Sequence, residues 1–99
     1  MIVVTGTIEV PAERVDAMKD AAATMARATR EEEGCFDYAF WQDVETPTRF
    51  RVYEEWRDID CLKAHGATRH MANWRAALDG IGVVSRDIKR FVPGHATQL

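Results

Sequence analysis

Apolar residues along this chain follow two periods in turn, the alternation of a strand and the three-to-four spacing of a helix. Ile2 to Val10 is rich in β-branched residues and stops at Pro11, which predicts a strand. Pro11 then stands near a helix start, where its missing N–H matters least. From Glu13 to about Glu32, the residues Val15, Met18, Ala22, Met25 and Ala26 recur on one stripe with charged residues opposite. That is the pattern of an amphipathic helix lying on a sheet, and Gly34 is its stop signal.

Cys35 to Asp43 is predicted as a second strand by its aromatic content, with Phe36, Tyr38 and Phe40 on one side and Ala39 and Trp41 on the other. Val44 to Thr48, with Pro47, is a polar connection suited to antiparallel neighbours. Arg49 to Trp56 alternates: Phe50, Val52, Glu54 and Trp56 share one face, Arg51, Tyr53 and Glu55 the other. Asp58 is an N-cap candidate for a short helix carrying Ile59, Leu62 and His65 on one side, interrupted by Gly66. A second helical piece, about Ala67 to Leu78, places Met71, Trp74 and Leu78 on one stripe with His70 beside Trp74. Gly80 and Gly82 end it, and Val83 to Val92 closes as a strand.

The order β-α-β-β-α-β predicts an α+β, ferredoxin-like protomer forming one domain over residues 1–99. Helices cover one face of such a sheet, yet the strands carry bulky groups on both. An exposed apolar patch of that kind is expected to be buried in a two-fold homodimer.

Composition narrows the function classes. Hydrophobic residues make up 46% of the chain, which is ordinary for a globular protein. The formal net charge of -3 and the lack of a basic stripe argue against nucleic acid. No apolar run is long enough for a membrane span, and the N-terminus lacks the basic and apolar regions of a secretory signal. A cytoplasmic protein with Cys35 and Cys61 as free thiols is the expectation. The charge block Arg30-Glu31-Glu32-Glu33 is expected to be the solvated end of a helix.

No generic nucleotide, metalloprotease or nucleophile-elbow motif is present, and the cysteine and histidine spacings fit no metal site. His65 has two readings: a helix-end histidine bonded to a carbonyl, or a neutral imidazole facing a pocket and able to exchange a proton. Glu54 also has two. It either takes a partner such as a histidine on the overlying helix, or faces the rim with Arg49 and Arg51 for charge balance. Trp56, Trp74, Tyr38 and Phe40 are core residues or the walls of a flat cavity suited to a planar aromatic ligand.

Two stretches carry a resemblance. Glu32-Glu33-Gly34-Cys35 with Tyr38 and Asp43 is similar to a segment of the antibiotic biosynthesis monooxygenase family. Tyr53-Glu54-Glu55-Trp56-Arg57-Asp58, followed by Leu62-Lys63-Ala64-His65 and Arg69-His70-Met71, resembles a second segment of that family. The resemblance implies a dimeric α+β barrel and an oxygenase acting on a quinol or aromatic polyketide-like substrate with dioxygen. It implies no metal, flavin or other cofactor. His65 would be the proton acceptor or a substrate-binding group, with Glu54 orienting it or the substrate. Trp56, Trp74, Tyr38, Phe40 and His70 would contact the substrate. A related haem-degrading branch uses an Asn on the first strand, where this chain has Thr5 and Gly6, and a Trp near the place of His65. Another relative isomerises a phosphorylated sugar, for which Lys63, Arg69 and Arg75 would supply a basic pocket. An isomerase or aldolase-like enzyme and a non-catalytic aromatic-ligand module stand as alternatives on this scaffold.

Overall fold

The computed structural model describes residues Met1–Leu99. Four strands, β1 (Ile2–Glu9), β2 (Cys35–Gln42), β3 (Arg49–Trp56) and β4 (Ser85–Phe91), form one antiparallel sheet in the order β2-β3-β1-β4. A single 3-10 turn at Ala12–Arg14 follows β1 and leads into α1 (Val15–Thr29). The second crossover is split into α2 (Ile59–Gly66) and α3 (Arg69–Ile81). This is the ferredoxin-like α+β arrangement that the element order predicts.

The sheet's helix-covered face holds Val4, Ile8, Tyr38, Phe50, Val52 and Trp56, all buried. The α1 stripe of Met18, Ala22, Met25 and Ala26 and the α3 stripe of Trp74, Leu78 and Ile81 close over them. Helix ends obey local chemistry. The Asp58 side chain accepts from Cys61 N–H at the start of α2, Thr68 Oγ1 accepts from Met71 N–H at the start of α3, and Gly82, at φ 77°, ends α3 in the left-handed region.

Four expectations need correction. The first helix stops at Thr29, short of Glu32, and the next residues form a turn. β2 carries an irregularity between Cys35 and Asp37, so Cys35 pairs with Trp56 while Phe36 is extra and 60% exposed. Phe36 therefore does not share the face of Tyr38 and Phe40, because one inserted residue shifts the alternation. Gly80 lies inside α3, since the buried Ile81 holds the last turn against the core. Lastly, the uncovered face is mixed rather than broadly apolar. Exposed Trp41 and Phe91 share it with Arg51, Glu55, Asp87 and Lys89.

One glycine shapes the far edge. Gly6 lies in β1 opposite Ile88 of β4, and a Cβ there would overlap Asp87 O and Ile88 Cα. Glycine lets the edge strand curl over β1 toward the helices, a close approach that a side chain forbids. Gly6→Val should therefore lower stability by about 1–3 kcal/mol in urea unfolding. Amide exchange should accelerate most in β4, and an unchanged midpoint would remove Gly6 from this role.

Candidate functional site

The site begins where α1 ends. Thr29 Oγ1 donates to Met25 O at 2.7 Å, closing the last turn, and Arg30 Nη1 donates to Tyr38 O at 3.0 Å. The chain reverses through Gly34, at φ 76°, whose backbone lies so close to Cys61 that a Cβ would overlap its Sγ. Arg57 N–H donates to Gly34 O at 2.8 Å, fixing this turn against the start of α2. The turn carries Glu32 inward, with only 13% of its side chain exposed, so this carboxylate is not part of a solvated helix end.

Glu32 Oε2 accepts from two imidazoles, His65 Nδ1 at 2.7 Å and His70 Nε2 at 2.6 Å. Their five-residue spacing would separate them on one regular helix. Here α2 ends at Gly66 and α3 restarts at Arg69, with Thr68 Oγ1 donating to His65 O at 2.9 Å across the break. A carboxylate only accepts, so the neutral His65 tautomer carries its proton on Nδ1 and presents a lone pair at Nε2. That Nε2 is buried and has no hydrogen-bond partner. The ring is held between Trp56, at 4.7 Å between centroids, and Tyr38, at 5.6 Å. Burial holds the His65 pKa below its ordinary value, outweighing the opposite pull of Glu32.

Glu54 is also buried, but its partner is Trp56, whose Nε1 donates to Oε1 at 2.9 Å. Glu54 is thus buried and partnered, as the first of its two expectations has it, but the partner is no histidine, and it does not face the rim beside Arg49 and Arg51. Residues two apart on a strand stand side by side, which brings the indole to the carboxylate. Burial pushes the Glu54 carboxyl up to about 7, and the negative charge of Glu32 adds to the shift. Burial, with the Glu54 charge, raises the neighbouring Tyr38 hydroxyl as well.

His65 and Glu54 converge on a cavity of about 310 Å³ between the sheet and α2–α3. Its walls include Tyr38, Phe40 and Trp74, as expected, and Val52, Leu62 and Met71 beside them. It runs past Val4 and Ile8 to Leu78, Ile88 and Arg86, and Arg75 also lies on its wall. Trp56 and His70 do not line it. Trp56 is fully buried against Glu54 and His65, and His70 opens instead on a groove of about 500 Å³ between α1 and α3. That groove is larger, but it reaches neither Glu54 nor His65, the two buried titratable groups that meet at the other cavity.

The donor atoms of Glu32, His65 and His70 lie within 4.8 Å of one another and are of types that hold a divalent transition metal. In this structure they are engaged with each other at hydrogen-bond distances. Sequence reasoning missed Glu32 and Arg86 as site residues, and named Arg75 only for a phosphate-binding pocket. Gly34 was the available signal for Glu32, because a helix stopped before a left-handed glycine releases the preceding charges from the helix surface.

The chain matches the family model for antibiotic biosynthesis monooxygenase over residues 1–77. It is 29% identical over 76 residues to the Bacillus subtilis protein named "Putative monooxygenase YcnE", covering 77% of this chain and 80% of that one. It is 31% identical over 67 residues to the uncharacterized Synechocystis protein sll1783, covering 68% of this chain but only 46% of that one. Among solved structures, a Deinococcus radiodurans protein described as a "putative antibiotic biosynthesis monooxygenase" superposes with TM-score 0.94 at 26% identity, over 100% of this chain and 98% of that one. A conserved protein from Methanosarcina mazei superposes with TM-score 0.84 at 27% identity, over 91% and 89% of the two chains.

The buried carboxyl makes a stability prediction. Glu54 is raised from 4.5 to about 7 in the fold, so its contribution is fully present below 4.5 and is lost as pH rises through 7. Glu54→Gln keeps an acceptor for Trp56 and has no charge to bury. Its stability relative to the unsubstituted protein should rise between pH 5 and pH 8, by up to about 3 kcal/mol. Urea unfolding at both pH values reads the difference, and a pH-independent difference would contradict the assignment.

Proposed function

The chain belongs to the antibiotic biosynthesis monooxygenase family, and from that premise we propose a cofactor-independent monooxygenase that oxidises a quinol or aromatic polyketide-like phenol with dioxygen. The observation that carries this is His65 Nε2, a buried lone pair without a partner, at the wall of an apolar cavity. A phenolic O–H entering the cavity would donate to it. His65 would take the proton, and Glu32 would stabilise the imidazolium through Nδ1–H. The apolar walls would exclude water and leave an electron-rich anion beside dioxygen.

The anion then transfers one electron to dioxygen, and the resulting radical pair combines to a peroxide. Its O–O bond breaks so that one oxygen stays on the ring and the other leaves as water. A quinol plus dioxygen thereby gives a hydroxyquinone plus water. The volume of about 310 Å³ lies at the lower end for small-molecule sites, which favours one or two fused rings over a larger polycycle. Phosphosugar isomerisation gains less support: Lys63 and Arg69 are exposed outside the cavity, and only Arg75 of that trio lines it.

The same proposal takes the uncovered sheet face as a homodimer interface closing an α+β barrel. Sedimentation should then give twice the 11.2 kDa chain mass, and a stable monomer would overturn it. For activity, oxygen consumption is followed with a panel of one- and two-ring quinols. His65→Gln should lower kcat by roughly 10²–10⁴-fold. Glu32→Gln should lower it less, by roughly 10–100-fold, because a neutral amide orients the ring without stabilising its charge. Turnover unchanged under nitrogen would replace the oxygenase with a non-redox enzyme. Ligand binding without product would leave a binding module.

A further inference from the structure

The cavity has two chemically different ends. His65 and Glu54 occupy the end under β2 and β3, while the other end reaches β4, where Arg86 and Ile88 form the wall. In register, Glu54 pairs with Val4, whereas Arg86 pairs with Ile8, two strands across from β3 and four residues along. Strand spacing and rise put the two backbone positions roughly 15 Å apart. A two-ring aromatic together with an arginine side chain spans that interval.

Arg86 is not paired with a carboxylate, has no side-chain hydrogen bond and reaches solvent at the cavity mouth. Arg75 lies elsewhere: its Nη2 donates to Gly66 O at 3.2 Å, which anchors its guanidinium at the α2–α3 break next to His65, where its charge adds to the causes that lower the His65 pKa. In a protein of net charge -3, an unpaired cation at the mouth of an apolar cavity is a specific electrostatic feature. Glu54, the one carboxylate on the wall, is held by Trp56 at the opposite end and does not neutralise it.

We infer that the substrate of this cavity carries a carboxylate at the end remote from its reacting hydroxyl, held by Arg86. The inference rests on the proposed function of the same site and adds the substrate's charge. A planar carboxylate accepts two parallel N–H bonds from a guanidinium, so it matches the fork geometry of Arg86. An exposed ion pair alone is weak, but rings filling the cavity would strip water from the mouth and strengthen the contact. The hydroxyl and the carboxylate would then fix the ring's orientation, placing the O–H at His65 Nε2.

Direct binding of two stable fluorescent phenols tests this without turnover: 6-hydroxy-2-naphthoate, with its hydroxyl and carboxylate at opposite ends, and 2-naphthol, which lacks the carboxylate. The naphthoate should bind at least ten-fold more tightly, and added salt should shrink the advantage. Arg86→Gln should remove most of the advantage and leave 2-naphthol binding unchanged, while Arg86→Lys should restore part of it. Equal binding of the two probes, or an advantage that survives in Arg86→Gln, overturns the inference and leaves the proposed function standing. Failure of both probes to bind overturns the two together.

Discussion

One carboxylate oxygen holds the site together. Glu32 Oε2 accepts from imidazoles on two helices while its own residue sits in the turn after a third. A buried carboxylate is costly unless its lone pairs are used, and two N–H donors meet that need. The consequences run outward. The tautomer of His65 is set, its Nε2 is left without a partner, and the two pieces on either side of the α2–α3 break are tied to one carboxylate.

Much of this architecture was legible because its causes are local. The alternation in β3, the α1 stripe and the Asp58 cap each depend on residues within a turn or a pleat. The departures are non-local or hinge on one inserted residue. Phe36 reads as a face partner of Tyr38 until the irregularity after Cys35 shifts it outward. Gly80 reads as a stop until Ile81 is seen to be buried.

The candidate site divides the same way. His65 and Glu54 were identifiable because polar residues on apolar stripes need a reason to be there. Their partners were harder to place. The bond from Trp56 to Glu54 follows from strand geometry and was within reach of the sequence alone. Glu32 had only the indirect signal of Gly34, because a run of four charges has a ready explanation as solvated surface, and its histidines lie 33 and 38 residues away. The curl of β4 over Gly6 is similar: a strand glycine signals a close approach without saying what approaches.

The two titratable groups on the cavity wall are displaced in opposite senses by one cause. Burial raises Glu54 to about 7 and lowers His65 below its ordinary value, so each is favoured in its uncharged form. On the proposed function, a phenol entering the cavity would meet at Glu54 a carboxyl that is not held fully ionised. Were its proton to move to His65, the imidazolium would lie between Glu32 and the new anion, and both contacts would favour the charge just created. A quinol has a second proton to lose, and only the ionised fraction of Glu54, which titrates near 7, could accept it. The cavity thus tolerates two buried ionisable groups for different reasons: His65 charges only when a proton arrives together with its counter-ion, and Glu54 loses its charge on accepting one.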